Sequence, residues 1–243
     1  MKSLDILAFA PHPDDAEICC GGTLITSQKK GHKTGIVELT YGEMSTAGTV
    51  EERKLEVEEA NKILKPTHRE NLGLSDGWLN PYNQYDSRSQ DSAIVKIVDC
   101  IRRLKPSIVL LPYDSDRHPD HIAASNLITS ALFHANVGGY KTPSGADRHL
   151  VNQIFYYQMR YEFTPSVIVD ISDSFDEKVE AIKCFKTQIT RDQKSSTKHT
   201  LLNSPELLAN LEARDKYYGG LAGVKYGEPL FMKNIPVVKD IVG

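Results

Sequence analysis

Four short apolar runs, LDILAFA (residues 4–10), GHKTGIVEL (31–39, with its core at Gly35–Leu39), HRENL (68–72) and SIVLLP (107–112), are separated by longer stretches of helical character. Strands joined by amphipathic crossovers of this length must run parallel, and a parallel sheet needs helices on both faces. The pattern therefore predicts an α/β fold of three layers with a mainly parallel sheet. One crossover, DSAIVKIVDCIRRL, places Ile94, Ile97, Val98, Ile101 and Leu104 at helical spacing, with Asp91 as its expected N-cap and Pro106 as its stop. Another, PDHIAASNLITSALFHAN, has its proline at the first helical position. Beyond Gly138 the pattern changes to NQIFYYQM and SVIVDIS as strands, with helices from Phe175 to about Lys186 and from Pro205 to Tyr218. No linker or repeat divides the chain, and its 243 residues with 40% hydrophobic content suffice for one core. Residues 1–243 are thus expected to form a single domain in which the last part is a C-terminal extension.

Two copies of the triplet His-Pro-Asp then acquire meaning from their positions. The first lies in PHPDDAE (residues 11–17), directly after the first strand, and the second in DRHPDH (116–121), after the fourth. Ligands of open α/β sheets bind at the carboxyl ends of strands, and the first and fourth strands are neighbours across the switch point of the commonest doubly wound order. His12, Asp15 and His121 supply two imidazoles and a carboxylate, a set suited to a catalytic zinc with an open position. The same ligands accept iron, manganese or cobalt. Asp14, beside Asp15 but free to point elsewhere, is the natural general base. His118 and His121 share a face if the helix begins at Pro119, so His118 can address the reacting centre, and Asp120 is a candidate to orient an imidazole.

Blander readings exist for each. Asp14 or Asp15 could serve simply as a helix cap. Gly21-Gly22 lacks the spacing of a dinucleotide loop and presents carboxylates where phosphate needs amides, so close packing explains the pair better. Four cysteines without C-x-x-C spacing read as small buried thiols. A formal charge of −3 provides no basic footprint for nucleic acid, and no segment approaches the roughly 18 apolar residues of a membrane span. A cytoplasmic protein, with neither nucleic acid nor membrane as partner, is expected.

PHPDDAE and HPDH together resemble the hallmark segments of the LmbE-like, or PIG-L, family of zinc-dependent N-acetylglucosamine deacetylases. TYGEMSTAGTVEERKLE, NLGLSDGWL and SPELLANLEARDKYYGGLAGVKYGEPLF extend the likeness over almost the full chain, toward the bacillithiol-pathway N-acetylglucosaminyl-malate deacetylases. The resemblance implies a Rossmann-like fold, a Zn2+ cofactor (with other divalent ions such as Fe2+ as alternatives) at His12, Asp15 and His121, Asp14 as base and His118 as partner of the oxyanion or leaving group. It places Arg53 near the acetyl carbonyl, although EERKLEVEE alone reads as a solvated helix face. Glu43 and Asp76 fall in its substrate-side loops, with Tyr226 a weaker candidate. Asp116 stands where some mycothiol-type relatives carry tyrosine, and Arg117 matches the bacillithiol pattern, its forked donors suiting a malate carboxylate. The implied reaction converts N-acetylglucosaminyl malate to glucosaminyl malate and acetate, in a homo-oligomer such as a hexamer. Another N-acetylglucosamine or thiol conjugate, or a noncatalytic sugar-binding protein, remains the alternative. Residues 187–203, rich in Ser, Thr and Lys, read either as a lid over the sugar or as a surface loop.

Overall fold

The computed structural model describes residues 3–80, 92–189, 202, 204–235 and 237. In chain order its elements are β1 (Ile6–Ala10), α1 (Asp15–Lys29), β2 (Thr34–Thr40), α2 (Val50–Leu64), β3 (His68–Leu74), α3 (Ala93–Leu104), β4 (Ile108–Pro112), α4 (Pro119–Ala135), β5 (Gln153–Tyr157), β6 (Val167–Asp170), α5 (Phe175–Lys183), α6 (Lys186–Ile189), α7 (Leu207–Ala222) and β7 (Gly227–Phe231). The strands form one sheet in the order β3-β2-β1-β4-β5-β7-β6. Strands β1 to β5 pair in parallel, while β7 runs antiparallel to both β5 and β6.

Alternation along the strands sorts side chains into two cores, as period-2 geometry requires. Leu7, Phe9, Val37, Leu39, Val109 and Leu111 pack with Ile97 and Ile101 of α3 and Leu127 and Ile128 of α4. Ala8, Ala10, Ile36 and Leu110 pack on the other face with Cys20 and Leu24 of α1, Ala60 and Leu64 of α2 and Ile182 of α5. This is the expected three-layer α/β arrangement, with β1 and β4 adjacent at the switch point. Helix entry is chemically specified: Thr49 and Glu52 form a capping box at α2, and Ser92 accepts from the Val95 N–H at α3. Asp91, the cap expected from sequence, lies outside the described residues.

Strand β7 adds to the strands expected from the sequence, and its segment GEPLF contains a proline that cannot donate to a ladder. The structure accommodates it because β7 pairs with β5 only through Leu230 and Phe231, leaving Pro229 paired with Ile168 of β6 alone.

The C-terminal elements also repair a break in α1. Cys20 has φ −140° and ψ 16°, which interrupts the helix. The Glu228 carboxylate of β7 accepts from the Gly22 N–H at 2.9 Å and from the N–H and hydroxyl of Thr23 at 2.6 Å, so it caps the second half. Arg214 of α7 donates to the Ile18 carbonyl at 2.9 Å on the first half. Lys178 of α5 links the two repairs, lying 2.7 Å from Glu228 and 2.6 Å from Asp215, which in turn pairs with Arg214. Gly22 is required because a Cβ there would sit 2.8 Å from the Ile171 side chain. Gly22 thus does serve close packing, against the residue that follows β6, whereas a Cβ on Gly21 would meet Lys178 at an ordinary 3.5 Å.

Lys178, Asp215 and Glu228 are at most 1% exposed. Removing the one lysine leaves the buried Glu228 without a cation and Asp215 with Arg214 alone, so Lys178→Met is expected to destabilise the fold by about 3 to 5 kcal/mol in urea denaturation. An unchanged midpoint would contradict the network's role.

Candidate metal centre and active site

The chain leaves the adjacent ends of β1 and β4 into two loops, and these loops bring three imidazoles together. Ring centroids lie 5.0 Å apart for His12 and His118, 5.4 Å for His12 and His121, and 4.6 Å for the nearly parallel His118 and His121. His118 is the N-cap of α4, and its Nδ1 accepts from the Asp120 N–H at 3.2 Å. That bond leaves Nε2 to carry the proton of the neutral ring. Burial, with the charges of His121 and His12, holds His118 below the usual histidine range.

Ligand atoms of His12, Asp15 and His121 all lie within 4.8 Å of one another. Asp15 Oδ2 is 3.2 Å from His12 Nδ1 and 3.7 Å from His121 Nε2, so these three atoms face a common point. A second trio, His12, His118 and Asp120, satisfies the same span. The first has a feature the second lacks, a carboxylate behind each imidazole. Asp76 Oδ1 lies 3.0 Å from His12 Nε2, with Asp120 Oδ2 at 3.6 Å, and Asp116 Oδ1 lies 3.1 Å from His121 Nδ1. Such outer carboxylates fix tautomer and orientation in metal-ligating histidines. Although burial pushes them up, the histidine contacts and backbone N–H donors bring Asp76 and Asp116 down to about 2.

Asp14, Asp15, Asp76, Asp116 and Asp120 are all buried, and among the described residues the single guanidinium that pairs with this group is Arg53. That excess of negative charge in a low dielectric suits a divalent cation, and the donor set fits one.

Asp14 has an unusual geometry. Its backbone is left-handed, with φ 115°. The other described non-glycine residues at positive φ, Lys65 and Lys105, are helix C-caps where that conformation is ordinary, whereas Asp14 precedes a helix. Its side chain makes no capping bond. Burial pushes its carboxyl well above the usual range, Asp15 adds to this and Arg53 opposes it. Arg53 is itself buried, donating to the Pro13 carbonyl at 2.8 Å and lying 3.5 Å from Asp14 Oδ2. A solvated helix face is therefore the wrong description of this arginine.

A family model described as PIG-L, GlcNAc-PI de-N-acetylase, matches residues 7–132, which contain both histidine loops. The diacetylchitobiose deacetylase of Thermococcus kodakarensis is 30% identical over 238 residues, covering 92% of this chain and 80% of its own. The chain belongs to the PIG-L family. Within that family it is also 28% identical to the probable N-acetyl-alpha-D-glucosaminyl L-malate deacetylase 2 of Bacillus anthracis, over 52% of this chain and 58% of that one. Its fold matches the crystal structure of a conserved protein from Thermus thermophilus with a TM-score of 0.84 and 36% identity, covering 97% and 98% of the two chains.

In this PIG-L member, three of the substrate-side candidates have partners within the protein. Asp76, expected to accept from sugar hydroxyls, has Oδ1 on His12 and Oδ2 accepting from the Met44 N–H at 2.9 Å. Glu43, expected beside it, accepts from the Asp76 N–H at 2.8 Å and so supports the loop. Tyr226 stacks on Phe175 at 3.7 Å and donates to Glu212, contacts that involve no residue of the site. Arg117 is exposed and makes no hydrogen bond or ion pair among the described residues. Asp120, expected to orient an imidazole, lies behind His12 and also accepts from the Gly77 N–H at 2.6 Å. Asp116, in the sequence only a departure from tyrosine, also accepts from the His118 N–H at 2.8 Å and the Arg160 N–H at 2.7 Å. Its spacing, two residues before His118 and five before His121, was the available signal.

Asp116→Asn is expected to weaken metal binding roughly 10-fold or more, because His121 loses the charge behind it. Equal affinity in a competitive chelator titration would remove Asp116 from the site's support.

Proposed function

We propose that this protein is a metal-dependent hydrolase that removes the acetyl group from N-acetylglucosaminyl malate, giving glucosaminyl malate and acetate. The observation that carries the chemistry is Asp14, a buried carboxylate in a strained backbone, unused as a cap, beside a ligand trio. His12, Asp15 and His121 would hold the cation, zinc or another divalent ion such as iron(II). When bound, that ion supplies Lewis acidity to a water and to the acetyl carbonyl oxygen.

Asp14 takes a proton from the attacking water as its oxygen adds to the acetyl carbon. Arg53 holds the His12–Asp15 turn through Pro13 and tempers the Asp14 charge, a closer fit to its contacts than a place on the carbonyl. His118 presents its Nε2–H to the reacting centre, where it supports the developing negative oxygen. When the C–N bond breaks, the amine nitrogen gains a proton from Asp14 or His118 and acetate departs. A purely sugar-binding protein would have no use for the strained, uncapped Asp14.

The malate assignment is supported by Arg117, a guanidinium unpaired among the described residues and one residue before His118, whose fork suits a carboxylate. The Thermococcus relative favours a second reading, a chitobiose-type disaccharide. Acetate release from N-acetylglucosaminyl malate, N,N′-diacetylchitobiose and N-acetylglucosamine separates the two. The malate conjugate is expected to react best, with Arg117→Ala losing more on it than on free N-acetylglucosamine; preference for the disaccharide would overturn the malate reading. Asp14→Asn is expected to retain metal while losing about 10²- to 10⁴-fold in turnover, and full activity would remove it as base.

A further inference from the structure

Trp78, the chain's one tryptophan, is 78% exposed, more than any other described aromatic side chain. An indole left in water forfeits the burial that normally places this residue inside or at an interface. The backbone on either side of it is anchored. On one side, the Gly77 N–H donates to Asp120 Oδ2 at 2.6 Å, and Asp76 is fixed by His12, Met44 and Glu43. On the other, Leu79 is buried in the core cluster of α3 and α4. Gly77 itself has φ +73°, and a Cβ there would fall 2.5 Å from Met44 Sδ. Met44, 63% exposed, therefore sits against the residue that precedes Trp78. Two successive Cα steps of about 3.8 Å keep Trp78 within about 7.6 Å of the Asp76 backbone, and Asp76 touches His12. The loop whose Asp76 backs His12 thus also carries an exposed indole two residues on, with an exposed thioether against the intervening Gly77.

We propose that Trp78, with Met44 set against its neighbour Gly77, is the platform on which the pyranose ring of the N-acetylhexosamine substrate rests, making it a specificity-determining residue. N-acetylglucosamine carries its ring substituents equatorially and presents axial C–H groups on its faces, which are attracted to the negative face of an indole. An aromatic contact on the ring, remote from the reacting carbonyl, holds substrate and transition state alike without adding a charge. The inference rests on the N-acetylglucosamine reading but not on malate, since the malate conjugate and chitobiose share the ring.

A single tryptophan makes the test direct. The metal-loaded Asp14→Asn protein is titrated with N-acetylglucosamine and N,N′-diacetylchitobiose while indole emission is recorded, with sodium acetate and L-malate as controls. A saturable change with the sugars alone is expected. In the otherwise unaltered enzyme, Trp78→Ala is expected to raise KM about five- to tenfold with kcat within about twofold, and Trp78→Phe to restore most of the loss. Emission that ignores sugar, or an unchanged KM in Trp78→Ala, would overturn the platform even where acetate is released. Emission that follows protein concentration instead would mean a second copy covers Trp78, which also overturns it. Saturable emission without acetate release would uphold the platform and sink the deacetylase reading.

Discussion

Five carboxylates and three imidazoles meet at the carboxyl ends of β1 and β4, and the charge they gather in a buried space governs the rest of the site. Buried charge is tolerated only when paired. Some of the pairing is internal: Asp76 backs His12, Asp116 backs His121 and Arg53 opposes Asp14. The remaining negative charge is what a divalent cation would neutralise, and the same carboxylates orient the nitrogens that would bind it.

Holding such a turn in place requires anchors on both sides. Glu17, the last residue of the first motif, is fully buried and accepts from Arg69 at 2.7 Å, while Arg69 also donates to Glu38 of β2 and Asn61 of α2. On the opposite side the Glu228–Lys178–Asp215–Arg214 network grips the broken middle of α1. The C-terminal elements therefore do more than extend the sheet, because they fix the helix whose first residues are the catalytic candidates. The strained φ of Asp14 is sustained by this over-determined surround.

How much of this was legible follows from range. Strands β1 to β4 came from local periodicity, and the proximity of the two histidine loops followed from parallel topology. Contacts between distant loops leave no local trace: His12 and Asp76 are 64 residues apart, and nothing beside Asp76 in the sequence announces its bond to His12. The stacking of Tyr226 on Phe175 is likewise invisible in the local sequence, since 51 residues separate them. Strand β7 was hidden by Pro229, whose tolerance depends on where β5 stops pairing. Of the 187–203 segment, Thr187 donates to Glu56 and Gln188 donates to the Ala47 carbonyl, which ties its start to α2 and the preceding loop; residues 190–201 and 203 lie outside those described.

The most direct test of the central claim is anomalous diffraction from crystals of the zinc-loaded protein. One ion is expected about 2.0–2.2 Å from His12 Nδ1, Asp15 Oδ2 and His121 Nε2, with Asp76 and Asp116 on the opposite ring nitrogens. An ion held instead by His12 Nε2, His118 and Asp120 would contradict it, since His118 would then be a ligand and Asp14 would no longer lie beside the ligating carboxylate.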